Sequence, residues 1–101
     1  MKGCSVGEFI DDLRSMGGPE KEFVFRSKRF FLETVYQEDQ GLFELYIDEY
    51  DNTDPEKRVL LTHHSFWGKD FTECTEKFEK AKLFAGLDIY SAENEIEVLY
   101  G

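Results

Sequence analysis

"EFVFRSKRFFLETVYQEDQGLFELYIDEY", residues 22 to 50, decides how this chain folds. β-Branched and aromatic residues dominate it, and two short polar breaks interrupt it, near Ser27-Lys28 and at Glu38-Asp39-Gln40-Gly41. That composition favours pleated strands, and breaks this short favour hairpins. The segment therefore predicts three antiparallel strands in a meander. In the third, Phe43, Leu45 and Ile47 share one face and Leu42, Glu44, Tyr46, Asp48 and Tyr50 the other, because successive strand side chains alternate. Phe31, Glu33, Val35 and Gln37 of the preceding strand join the second set. The first turn lacks the Gly or Asn that tight hairpins favour.

Outward from the meander the period changes. Val6, Phe9, Ile10, Leu13 and Met16 recur at helical spacing behind a Ser5–Glu8 capping box, and Gly17-Gly18-Pro19 is a stop signal. Phe71, Cys74, Phe78 and Ala81 repeat that spacing behind Asp70, with Glu73–Lys77 and Glu76–Lys80 as favourable i,i+4 pairs. Ile89, Ala92, Ile96 and Leu99 behind Asp88 predict a third helix, although "EIEVLY" also suits a strand. "RVLLTHH", residues 58 to 64, reads as a short fourth strand or an extended connector. The expected fold class is α+β: a three- or four-stranded antiparallel meander packed by an N-terminal helix and two C-terminal helices.

The chain has 101 residues, 41% hydrophobic and 16% aromatic, with ten Phe. A length of this order suits one domain with one core, so 1–101 is taken as a single unit. No internal repeat or low-complexity stretch divides it. Cys4 and Cys74 stand in no zinc-site spacing and are expected to be free thiols. With no apolar run of membrane-span length and no signal-peptide pattern, a reducing cytoplasmic setting is expected.

Twenty-two acidic against twelve basic residues give a formal charge of −10. That balance opposes direct binding to nucleic acid or anionic membranes and favours basic protein surfaces. The excess is segregated. From Phe30 to Glu56 stand Glu33, Glu38, Asp39, Glu44, Asp48, Glu49, Asp51, Asp54 and Glu56 with no Lys or Arg, and from Asp88 onward four more acids do the same. On the third strand, Glu44 and Asp48 would lie roughly 13 Å apart with Tyr46 between them. Tyrosine combines a large apolar body with a polar tip and enriches interfaces. The expected partner-binding set is Glu33, Glu44, Tyr46, Asp48, Glu49, Tyr50, Asp51 and Asp54.

Other chemistry is weaker. His63 and His64 are adjacent, so in a strand they point to opposite faces and cannot easily share a metal ion. His64 could act as a lone general base only beside an orienting carboxylate. Asp48, Asp51, Asn52 and Asp54 resemble a cation loop but lack the central Gly and terminal Glu of an EF-hand. Phe66 and Trp67 before Gly68 form a second aromatic patch. There is no Gly-rich phosphate loop, nucleophile elbow or HExxH motif, so neither catalysis nor a cofactor is expected.

In size, charge, the order helix, three strands ("EFVFRS", "RFFLETVYQ", "LFELYIDEY"), helices, and the acid block from Glu33 to Glu56, the chain resembles the small acidic inhibitors of phages and mobile elements, such as anti-CRISPR proteins. The resemblance implies a non-catalytic mechanism, in which carboxylates take the place of nucleic-acid phosphates on a nuclease or another DNA-handling protein. The alternatives are a structural or regulatory module, or a homodimer, and last a small enzyme using His64.

Overall fold

The computed structural model describes residues 1–15, 19–54 and 56–100. In chain order it contains α1 (Val6–Arg14), β1 (Glu20–Phe25), β2 (Lys28–Gln37), β3 (Leu42–Asp51), β4 (Leu60–Gly68), α2 (Phe71–Lys80), α3 (Ile89–Ala92), a 3₁₀ turn (Glu93–Glu95) and β5 (Ile96–Tyr100). The strands form one antiparallel sheet in the order β4-β3-β2-β1-β5. The class is α+β, with an N-terminal helix and two C-terminal ones.

The caps read from sequence are in place. Ser5 Oγ accepts the Glu8 N–H, Asp70 accepts that of Glu73, and Asp88 accepts that of Ser91. Each satisfies an N–H that the first helical turn leaves without a carbonyl partner. The expected stop at Gly17-Gly18, and Met16 of the first apolar stripe, lie outside the described residues.

Two expectations change. The fourth strand runs past His64 to Gly68, so the Phe66–Trp67 patch is part of β4. The third helix is a single turn, and the chain from Ile96 extends along β1. Helical spacing of Ile89, Ala92, Ile96 and Leu99 was a coincidence of two elements. β-Branched Ile96 and Val98 suit a strand, and β1 offers them an open edge.

Turn chemistry explains the first hairpin. Phe25 pairs with Lys28, leaving Arg26-Ser27 as a two-residue turn, and Arg26 takes a positive φ of 55° without being Gly. That conformation costs an L-residue about 1–2 kcal/mol. Arg26 offsets it with two hydrogen bonds of 3.0 Å to Glu95 and a guanidinium seated over the Phe25 ring. At the second turn the same need falls on Gly41, with φ 63°.

All three helices lie on one side of the sheet. Phe9, Ile10 and Leu13 of α1, Cys74 and Phe78 of α2, and Ile89 and Ala92 of α3 join Phe23, Phe25, Phe30, Leu32, Leu45, Ile47 and Ile96 in one buried cluster. Phe23 stacks on Phe30 and meets Phe9 edge-on, and Phe84 plugs the same group. Strand alternation then decides the site. Alternate residues in the middle of β1 to β3 (Phe23 and Phe25, Phe30 and Leu32, Leu45 and Ile47) are sealed under the helices, and the intervening ones stand on a face that no described helix covers.

Candidate functional site

Cross-strand register assembles this open face in rows. Glu20, Glu33, Tyr46 and Ser65 form one row, and Glu22, Phe31, Asp48 and His63 the next. Val24, Arg29 and Tyr50 follow on one side, and Val35, Glu44 and Trp67 on the other. Glu97 of β5 sits beside Val24. Like charges directly opposite in a sheet destabilise it, yet Glu20 stands against Glu33.

Two of the carboxylates on this face, Glu33 and Glu44, are fixed by uncharged donors. Gln37 Nε2 donates to Glu44 Oε1 at 2.9 Å and Ser65 Oγ to Glu44 Oε2 at 2.6 Å. Tyr46 donates its phenol to Glu33 at 2.8 Å. Amides and hydroxyls hold an anion in place without cancelling its charge, whereas a guanidinium would do both. Three others meet cationic or basic side chains: Glu22 pairs with Arg29, Glu97 with Lys2 at 3.0 Å, and Asp48 Oδ1 meets His63 Nδ1. Tyr46 records the resulting field. Burial first, then the hydrogen bond to Glu33 and the negative charges of Glu33, Asp48 and Glu20, push its phenol well above its ordinary value.

The eight expected site residues separate into three groups. Glu33, Glu44, Tyr46, Asp48 and Tyr50 share the open face. Glu44 lies deep in it, only 7% exposed, so it supplies field more than contact. Glu49 falls on the helix side by alternation, opposite Thr62, whose hydroxyl it accepts at 3.3 Å. Asp51 and Asp54 belong to the loop end. Asp51 accepts the backbone N–H and the hydroxyl of Thr53, which hold its carboxyl below the usual range, and Asp54 accepts the N–H of Glu56. These are turn-closing bonds, and among the described residues no group of His, Cys, Asp and Glu is arranged to hold a metal ion.

Glu20, Glu22 and Glu97 are open-face residues that the sequence did not single out. Period-two alternation in "EKEFVF" marks the first two, since Lys21, Phe23 and Phe25 are the buried partners of that pattern. Lys21 itself is buried, its ammonium 3.1 Å from Asp12 and over the Phe9 ring.

Basic side chains reach the open face at one corner. A cleft of about 250 Å³ brings Arg29, Lys57 and Arg58 around Phe31, Tyr50 and Asn52. Glu22, Asp48 and Asp51 line the same cleft, so charges of both signs meet beside the β3–β4 connection.

The two histidines diverge as alternation requires. His64 stands opposite Ile47 on the helix side, exposed and with no hydrogen bond to its ring among the described residues. His63 is the one with a carboxylate. Asp48, His63 and Ser65 follow the atom order of a hydrolytic triad, Ser65 Oγ lying 3.2 Å from His63 Nε2. A carboxylate can only accept, however, so the Ser65 proton is directed to Glu44 and is not offered to the His63 ring. The array therefore works as a brace across β3 and β4.

Together these features define an α+β protein with one sheet face under helices and the other bare, aromatic and rich in carboxylates. No protein-family model, no curated protein and no solved structure matches the chain. Both cysteines are free thiols, Cys74 buried, and no described helix is long and apolar enough to cross a membrane.

Proposed function

We propose that this protein is a non-catalytic binding protein whose open sheet face occupies a basic, nucleic-acid-binding surface of another protein and blocks it. One observation carries the reading: on the uncovered face, Glu33 and Glu44 are oriented by neutral donors beside Tyr46, so their charge is positioned without being cancelled. Glu20, Glu22, Asp48 and Glu97 continue the carboxylates across four strands, with Glu22 and Glu97 met by Arg29 and Lys2. Phe31, Tyr46, Tyr50 and Trp67 interleave it with apolar area of the kind that interfaces use.

Preorganised anions suit a partner built to hold phosphates, because the cost of fixing side chains has been met on folding. The inhibitors of phages and mobile elements that the sequence resembles would act in this way, and a nuclease or other DNA-handling protein is the class of partner proposed. Attraction between opposite surfaces speeds encounter and weakens with salt, since the Debye length is about 8 Å at physiological ionic strength.

The test is affinity capture from the source cell, with the bound protein challenged by short duplex DNA. The expected result is a partner released by DNA and lost when Glu20 and Glu33 are both changed to Lys, with the circular dichroism of the chain unchanged. A captured partner indifferent to both the DNA and the double substitution overturns the proposal.

A further inference from the structure

The cleft beside the β3–β4 connection has its charges in order. Glu22, Phe31 and Asp48 form one row of the open face and Arg29 and Tyr50 the next, roughly 7 Å further along the strands. Lys57 and Arg58 reach the same cleft from the connection that follows β3. Glu22 and Asp48 therefore stand at one end, exposed cations at the other, and the Phe31 and Tyr50 rings between them. The connection is pinned to the sheet: Asn52 N–H donates to the Ser27 carbonyl at 2.9 Å and Asp51 N–H to the Val59 carbonyl at 3.1 Å. The cleft is thus formed before any ligand arrives, as small-molecule sites usually are.

The groups left unused in it define a ligand. Arg14, Arg26 and Arg29 each hold a carboxylate, whereas Arg58 and its neighbour Lys57 hold none among the described residues. Glu22 meets Arg29 through Oε2 and Asp48 meets His63 through Oδ1. Oε1 of the first and Oδ2 of the second have no hydrogen bond among the described residues. Asp51, by contrast, is occupied by Thr53. What fits is a molecule that presents hydrogen-bond donors, then a flat ring, then an anion.

We infer that this cleft binds a nucleoside monophosphate, with the base on Phe31 and Tyr50, its donor edge towards Glu22 and Asp48, and the phosphate on Lys57 and Arg58. Size and order select this occupant. About 250 Å³ is smaller than the roughly 300–1,000 Å³ of drug-sized sites, so the cleft takes one ring system and one anionic group. An α-amino acid carries its ammonium and carboxylate on one carbon and cannot reach both ends, and inorganic phosphate fills one end only. Guanine suits the acidic end best, because its N1–H and 2-amino group donate side by side to one carboxylate, as an arginine fork does. A nucleic-acid strand is refused, since a formal charge of −10 repels a polyanion. A single phosphate beside two cations is instead screened from carboxylates beyond a Debye length of about 8 Å.

Binding is read on the chain alone, so its failure leaves the proposed partner untouched. The test is calorimetric titration of the full chain with guanosine monophosphate, guanosine, inorganic phosphate and a short 5′-phosphorylated oligonucleotide, with proton NMR of the Phe31 and Tyr50 rings. The expected result is one guanosine monophosphate per chain, with both rings shifted. Guanosine and phosphate should each bind about tenfold more weakly or worse, the worth of one charge-assisted hydrogen bond. Lys57→Gln combined with Arg58→Gln should lower the affinity for the monophosphate to that for guanosine while leaving the thermal midpoint in place, since both side chains are exposed. No binding of the monophosphate overturns the inference, as does inorganic phosphate binding as tightly, which would reduce the cleft to a non-specific anion contact. So does an oligonucleotide that binds more tightly than the monophosphate, or binding that survives the double substitution.

Discussion

Replacing Glu33 by Gln probes the field of the open face through the phenol it surrounds. Tyr46 donates to Glu33 at 2.8 Å, and Glu20 and Asp48 add negative charge nearby. Each of these disfavours the phenolate. The carboxamide oxygen introduced by Glu33→Gln can still accept the hydroxyl, so the substitution removes the charge-assisted share of that bond. A hydrogen bond to a charged group is worth about 1.5–3 kcal/mol and a neutral one roughly half as much, so about 1 kcal/mol is lost. At 1.36 kcal/mol per unit, Tyr46 should then titrate about 0.7 of a pH unit lower in the variant. The assay is ultraviolet titration, with the Tyr46→Phe chain subtracted to isolate this one phenol among five tyrosines. The linkage has a definite sign. A folded-state value raised above the ordinary 10.0 contributes stability that is complete below that pH and is lost as pH climbs towards the folded value. Wild type should therefore lose stability more steeply than Tyr46→Phe once the pH passes that ordinary value. A Tyr46 transition at or below its ordinary value, or one that Glu33→Gln does not move, would refute the reasoning that these carboxylates converge there.

Three further outcomes follow from the fold and its caps. Thr34 is 1% exposed and its hydroxyl is without a hydrogen-bond partner among the described residues, so Thr34→Val should stabilise the chain by about 1 kcal/mol, raising the thermal midpoint by about 4–8 °C. At Gly68 a Cβ would fall 2.8 Å from Glu73 Cβ and 3.0 Å from Cys74 N, so Gly68→Ala must push α2 off β4; chemical denaturation should show a loss of about 1–3 kcal/mol. Asp51, Asp88 and Glu95 are all held below the usual carboxylate range, chiefly by the N–H groups of Thr53 and Ser91 and by the Arg26 guanidinium respectively. The stability they contribute is complete above that range and is lost as pH falls through their depressed values, so Asp88→Asn, which keeps a capping oxygen, should flatten the acid limb of a melting-temperature profile.

The meander was legible because its signals are local. Phe43, Leu45 and Ile47 against Glu44, Tyr46 and Asp48 is a period of two that survives any packing, and the capping residues Ser5, Asp70 and Asp88 announce helix starts by their own chemistry. The C-terminal strand was legible only as an alternative to a helix, because Ile96 to Tyr100 becomes a strand by finding the edge of β1, which lies near the opposite end of the chain. Register hides in the same way. Nothing in "EKEFVF" places Glu20 beside Glu33, and nothing in "LFELYIDEY" says that Gln37, Ser65 and Trp67 will close over Glu44. The acid block was visible as composition, but its division was not: Glu49 turns to the helix side, Asp51 and Asp54 close loop turns, and Arg29, Lys57 and Arg58 balance one corner. Conversely, the partnering of His63 rather than His64 follows from register alone, since only His63 stands opposite Asp48.

The most direct test of the account is whether the protein and duplex DNA exclude one another on the captured partner. With partner and labelled duplex held fixed, the chain is titrated in and the bound duplex is followed by fluorescence anisotropy over a salt series. Full displacement is expected, with an inhibition constant that rises with salt and rises further for the Glu20→Lys, Glu33→Lys chain. A ternary complex, with duplex and chain bound together at saturation, would contradict the central claim that the bare sheet face stands in for phosphate.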